Sequence, residues 1–280
     1  MSNVPVLEAV RAAFAFRRRH WRAVAPILGV VAVGSGLGFA GEATGDQALR
    51  SVGSIVNFVA TIAAYGALFR LAFIDERPDD PELHPGSGGL QWGKPEWRLL
   101  GVVGLMFVVG LIAFCAFVLV GVIAFMILLS AGVVQPIAAN ATPEQIASAL
   151  TPQAVMVIGF LFGVFAVAMA YLFSRLSLAM AATVSRGQVA VFQTWPLTKG
   201  QAWRIFAAVV LSNTPSIAAG ILLAAGVSIM GGSAQAPQLA LPAAVPLAVI
   251  GGLVAAFIQL PINIGLAAFL YRGLRPAGER

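Results

Sequence analysis

Cysteine, histidine and charge are scarce in this chain, and each scarcity removes a class of chemistry. Cys115 is the only cysteine and stands in an apolar run, so no disulfide closes within one chain and no thiol cluster holds a metal. Packing is its expected role. His20 and His84 are the only histidines; both fall outside the long apolar segments, and no Asp or Glu lies within those segments. A proton relay or carboxylate cation site inside a membrane therefore lacks its usual parts. The sequence has no phosphate-cradling Gly-Lys-Ser/Thr loop, no His-Glu-x-x-His pair and no serine set in a nucleophile elbow, so it reads as non-enzymatic, with no cofactor and no metal. Charged residues make up 10%, against about 25% in soluble domains, and 59% are hydrophobic. That balance belongs to an integral membrane protein. The formal charge of +6 does not point to nucleic acid, because the basic residues are scattered among segment ends and gather on no single face or tail.

Six apolar segments, at 23–40, 51–69, 99–134, 154–174, 205–230 and 244–271, approach or exceed the roughly 20 helical residues that cross a bilayer core of about 30 Å. Before them, Val6, Leu7, Val10, Ala13 and Phe14 lie mostly apart from Arg11, Arg17 and Arg18 on a helical projection. Residues 4–20 are expected to form an amphipathic helix in the headgroup layer. The first segment, ending Gly38-Phe39-Ala40, could pass for the apolar part of a signal peptide but is expected to remain as a span. Gly36-Leu37-Gly38-Phe39-Ala40-Gly41 matches a dinucleotide-binding spacing with no strand before it, and close helix packing accounts for it better. The third segment as helix would be about 54 Å long, so it must tilt or extend past the bilayer. Pro136 ends it, Thr142-Pro143-Glu144-Gln145 and Thr151-Pro152 read as helix starts, and Asn140-Ala141-Thr142 is a formal glycosylation sequon. Residues 75–94 carry Asp75, Glu76, Asp79, Asp80 and Glu82 among prolines and glycines. They read as a solvated acidic linker, in preference to a metal site built on His84.

Lys and Arg set the topology. Sixteen of the 17 lie in the N-terminal arm, in the second and fourth connections and in the tail, leaving only Arg50 for the other side. The positive-inside rule then places both termini in the cytoplasm after six crossings. Against those bases stand Glu8, Asp75, Glu76, Asp79, Asp80, Glu82, Glu96 and Glu279, which leaves that face with a net charge of +8. Anionic lipid headgroups are its expected partners, with a membrane-protein partner or a second copy beside them. The chain also repeats itself: Trp21-Arg22, Trp97-Arg98 and Trp203-Arg204 each open an apolar pair of segments that closes near Arg70, Arg175 or Arg272. The tryptophans and arginines of the openings are expected to be interfacial lipid anchors that set the depth of each hairpin. The expected fold is all-α: six transmembrane helices as three hairpins in parallel repeat, with interfacial amphipathic segments. One membrane domain fills 1–280, divided into hairpin one with its N-terminal helix (1–74), a cytoplasmic linker (75–96), hairpin two (97–185) and hairpin three with a short tail (186–280).

Uncharged polarity remains inside the spans. Ser54, Asn57, Thr61 and Tyr65 form one helical stripe. Pro215 interrupts the fifth segment beside Ser212, Asn213, Thr214 and Ser216, and favours a kink whose freed carbonyls the small polar side chains can satisfy. Gln259, Pro261 and Asn263 lie in the sixth. Asn213 comes nine positions after Arg204 and Asn263 nine before Arg272, so on antiparallel helices the two amides share a depth. Two readings follow: hydrogen bonds that fasten a bundle, or a polar cleft at Ser54, Asn57, Asn213, Gln259 and Asn263 that serves transport or lipid handling.

Arg175-Leu176-Ser177-Leu178 with residues 179–184, then Trp195, Leu197-Thr198-Lys199-Gly200 and Trp203-Arg204, resembles the signature of a bacterial family of uncharacterised polytopic inner-membrane proteins. That family is related to the membrane domain fused to some glycerophosphodiester phosphodiesterases. Gly89-Leu90-Gln91-Trp92-Gly93 with Glu96-Trp97-Arg98, and Tyr271-Arg272-Gly273-Leu274, are similar to further pieces of the pattern. Where the family often has a proline after the Leu-x-Leu run, this chain has Met180-Ala181-Ala182, and the soluble phosphodiesterase part has no counterpart in these residues. The resemblance implies a six-helix unit of the bacterial inner membrane with no catalytic residues. The expected function is that of a scaffold or accessory subunit of a membrane assembly, with a transporter or lipid-handling protein as the alternative.

Overall fold

The computed structural model describes residues 4–84, 86–133, 142, 151–229 and 241–276. Among them the regular elements are all helical: α1 (Val6–His20), α2 (Ala25–Thr44), α3 (Gln47–Phe73), α4 (Lys94–Ser130), α5 (Pro152–Leu176), α6 (Ala179–Arg186), α7 (Ala202–Ile229), α8 (Leu241–Val254) and α9 (Leu260–Leu274). A π-helical turn, Ala255–Gln259, joins α8 to α9. Six helical stretches are long and apolar enough to cross a membrane, which makes this a multi-pass membrane protein. The readings at Pro136, the sequon and the helix start after Thr142 lie outside the described residues. Contacts divide the chain into two compact units, Met1–Val103 with Ser174–Arg280, and Gly104–Phe173.

The first unit is built on small residues. The α2/α3 turn is specified locally: Gly45 ends α2 at φ 72° and Asp46 caps α3 by accepting from the Leu49 N–H at 3.0 Å. The two helices then run together so closely that a Cβ on Gly53 would meet Gly38 N at 2.2 Å and one on Gly41 would meet Arg50 N at 2.3 Å. Close packing is thus what Gly38 and Gly41 do, whereas Gly36 faces open space. Helix α9 lies against α1, α3, α6 and α7, and Leu260, Ile262, Ile264, Leu266, Leu270 and Tyr271 are all buried. Its sequence is apolar apart from Asn263 and Arg272, as suits a helix largely enclosed by others. An aromatic ladder of Tyr65, Phe69 and Phe73 on α3 ends edge-on at Tyr271 of α9, with centroid spacings of 6.4, 6.4 and 6.1 Å. Edge and offset contacts of this kind add about 0.5–1.5 kcal/mol each beyond the area they bury.

Two expectations change here. The arm is helical, but protein takes part of its apolar face: Ala9 and Ala13 are buried with Val4 against Ile205 and Ala208 of α7 and Ile262 and Leu266 of α9, while Leu7 stays exposed. Small residues permit this, including Gly265, where a Cβ would meet Phe16 at 2.8 Å. The acidic linker is not a solvated strand of coil either. It folds into short turns with Leu83 buried in the core and Gly89, at φ 75°, fitted against Ile27 and Ala67.

The second unit holds the remainder of α4 and most of α5. Phe117 stacks on Phe165 at 4.1 Å and meets Phe162 edge-on at 5.2 Å. Apolar side chains elsewhere on these helices point outward, Phe107, Ile112, Leu119 and Phe160 among them. Cys115 is exposed as well, so its expected packing role is not met. Helix α4 has 37 residues, about 55 Å at 1.5 Å per residue, well over the thickness of a hydrocarbon core.

Candidate functional site

The amides at matched depth meet. Asn213 Nδ2 on α7 donates to Asn263 Oδ1 on α9 at 3.0 Å and to its own Val209 carbonyl at 2.7 Å. Ser212 and Thr214 also bond back to Val209 and Val210, so the polar run around Pro215 is held by the preceding helical turn and α7 continues through it. Pro261 has no N–H to offer the Phe257 carbonyl four residues earlier, and Arg17 Nε of α1 donates there at 2.8 Å. Gln259 closes the π-helical turn and is half-buried. On α3, Asn57 Oδ1 accepts from Ser35 of α2 at 2.9 Å. Ser54 donates to the Arg50 carbonyl at 2.8 Å and faces a recess of 710 Å³ beside Glu42, Gln47 and Arg50 at the α2/α3 turn. Of the five proposed cleft residues, Asn213 and Asn263 touch; Asn57 is engaged between α2 and α3, and Ser54 bonds within α3.

The three Trp-Arg pairs differ in what they touch. Trp97 and Trp203 are 63% and 53% exposed, with their edges against Trp92 and Phe206. Trp21 instead packs edge-on against Phe257 at 6.3 Å, with the Arg22 guanidinium 5.6 Å over its ring. Arg98 donates to Glu82 at 2.7 Å, and Arg204 is exposed. The arginines that close the repeats all turn to protein. Arg272 bonds Glu76 at 2.5 Å and the Ala72 carbonyl, above the Phe73 ring, and Arg175 is buried with its guanidinium 4.6 Å over Trp195.

Arg70 shows the most developed arrangement, and the sequence reading missed it. Its Nη2 contacts Glu96 Oε2 at 2.6 Å with the two side chains 3% and 0% exposed, while its Nε donates to the Glu82 carbonyl at 2.9 Å. Glu96 Oε2 also accepts from Gly93 N–H at 2.8 Å, the reach-back of a carboxylate three residues into a helix. A Cβ on Gly66 would fall 1.8 Å from Glu96 Oε1, so glycine makes room for the carboxylate. The readable signal was the Gly93-Lys94-Pro95-Glu96 helix start; that its carboxylate would turn inward to α3 was not readable. Around this pair Glu82 holds Arg98 and Lys94 at 2.7 and 3.4 Å, and the Arg98 hydrogen bond, opposed by burial and aided by Lys94, keeps its carboxyl below the ordinary value. Among the described residues no group of three or more His, Cys, Asp or Glu side chains is placed to hold a metal ion; His84 Nδ1 lies 3.0 Å from the Asp80 carbonyl. Comparison of the chain with protein-family models, with curated proteins and with solved structures returns no match.

Proposed function

We propose that this is a non-enzymatic scaffold or accessory subunit of a membrane assembly, residing in the bacterial inner membrane with both termini in the cytoplasm. The observation that supports this reading best is the destination of the intramembrane polar groups. Asn213 bonds Asn263, Ser35 bonds Asn57, and Arg17 takes the carbonyl that Pro261 leaves. Each such bond fastens one helix to another, at about 0.6–2 kcal/mol, where a carrier would turn the same groups toward a substrate path. The apolar surface of Gly104–Phe173 offers a partner a place to pack, and the resemblance to fused membrane domains suits a role beside another component.

Native mass spectrometry after gentle extraction tests this. The expected result is a protein partner or a second copy at fixed stoichiometry, with photo-crosslinks from position 160 reaching protein. A solitary chain that crosslinks only to lipid and carries a defined metabolite would overturn the reading. It would move the assignment to the alternative, a transporter or lipid-handling protein using Asn213, Gln259 and Asn263.

A further inference from the structure

Two recesses of opposite character meet at Gln91 and Trp92, which line both. One, of 310 Å³, carries charged side chains in its lining, with Arg70, Glu82, His84 and Lys94 among them. The other, of 460 Å³, is an apolar groove along α2 and α3, lined by Ile27, Val30, Val59, Ala63 and Leu90. Arg70 is the unusual member. With its side chain 3% exposed and two nitrogens bonded to Glu82 and Glu96, its third, Nη1, is buried with no partner among the described residues. A buried guanidinium nitrogen without an acceptor is an unmet demand for one.

In this arrangement the neighbouring carboxylates leave that demand unmet: Glu96 Oε1, itself buried without a partner among the described residues, does not bond Nη1. Glu96 accepts from Arg70 Nη2 and Gly93 N–H, and Glu82 binds Arg98 and Lys94. Arg70, Lys94 and Arg98 against Glu82 and Glu96 leave one positive charge in excess, which one phosphodiester would neutralise. Lys94 is 77% exposed, so its ammonium can swing to an incoming anion. Free phosphate would answer the charge but would leave the groove unused. An acyl chain fits the groove, and Trp92, 39% exposed between the two recesses, stands where a glycerol backbone would pass.

We propose that these recesses together form a binding site for one anionic phospholipid, its phosphate held by Arg70 and Lys94 and one acyl chain lying along Val59 and Ala63. The test uses the purified full chain in detergent, with native mass spectrometry of added phosphatidylglycerol, phosphatidylcholine of the same chains, and inorganic phosphate. One phosphatidylglycerol is expected to survive activation that strips phosphatidylcholine. Arg70→Lys keeps a charge for Glu96 but removes the spare donor. Should that variant unfold, two exposed changes carry the test. Lys94→Gln is expected to weaken retention about tenfold, the loss of one hydrogen bond to a charged group. Val59→Trp, which fills the groove, is expected to abolish it. Retention unchanged in both variants overturns the site. So does equal retention of phosphatidylcholine, or inorganic phosphate displacing phosphatidylglycerol as well as a second lipid does, which would mark a free-anion site.

Discussion

A methyl group on residue 66 would stand where a carboxylate oxygen now does, 1.8 Å from Glu96 Oε1. Gly66→Ala is therefore expected to push Glu96 from Arg70 and leave a buried cation without its counter-charge, a loss of about 3–5 kcal/mol. Thermal unfolding in detergent reads this out, with Gly36→Ala as the control, since nothing lies within 4 Å of a Cβ there and alanine is the better helix former. Equal midpoints for the two variants would show that the ion pair does not anchor this end of α3. The sequence was legible for residues whose partners share a landmark: Asn213 and Asn263 were placed by counting from arginines at one end, and they bond at 3.0 Å. It was silent on Gly66, because a helical glycine says that something comes close without saying what. Among the glycines of 36–41 it named the cause, close packing, but not which of them provide it.

The segment between α3 and α4 shows how an element can be misread from composition. Its prolines, glycines and acids describe a solvated linker, yet the acids face bases supplied by neighbouring helices: Glu76 bonds Arg272 and Arg275, and Glu82 bonds Lys94 and Arg98. Partners 196 and 199 residues away leave no trace in local composition. Helix α1 poses the same difficulty, for amphipathicity reveals an apolar face but not whether lipid or protein covers it. The linker's dependence on charge can be measured. Because Glu82 has a lowered pKa in the folded chain, the stability it contributes is present above the ordinary carboxylate value of 4.5 and is lost as pH falls through the lower folded value. The fluorine lines of 5-fluorotryptophan at Trp92 and Trp97, whose rings meet at 5.6 Å, are expected to hold constant near neutrality and to shift together only below that range. Glu82→Gln should give the shifted lines at every pH. Lines that move between pH 6 and 8 would instead assign the titration to another group.

Charge counted over the whole chain and charge available at its surface are different quantities. Sixteen bases were assigned to one side, but Arg70, Arg77, Lys94, Arg98, Arg272 and Arg275 are engaged by Glu96, Asp80, Glu82 and Glu76. Apart from the Arg70 and Lys94 site proposed above, the exposed bases that no acid among the described residues engages include Arg11, Arg18 and Arg19 on α1, which border a recess of 610 Å³. Topology, by contrast, rests on the count, since loop Lys and Arg bias orientation during insertion, before these ion pairs exist. The six crossings and the single base at the α2/α3 turn then make an expectation that does not depend on how the two units sit. In a Cys115→Ser background, Gln47→Cys at that turn and Lys199→Cys before α7 put single thiols at exposed positions that the proposed topology assigns to opposite sides. An impermeant maleimide added to intact cells is expected to label the first and spare the second until the membrane is opened. Labelling of both before lysis would break the six-crossing topology, and labelling of Lys199→Cys alone would invert it. Moving Arg50 tests the cause: Arg50→Gln should leave the pattern unchanged, because one residue does not outweigh the sixteen bases expected on the other side.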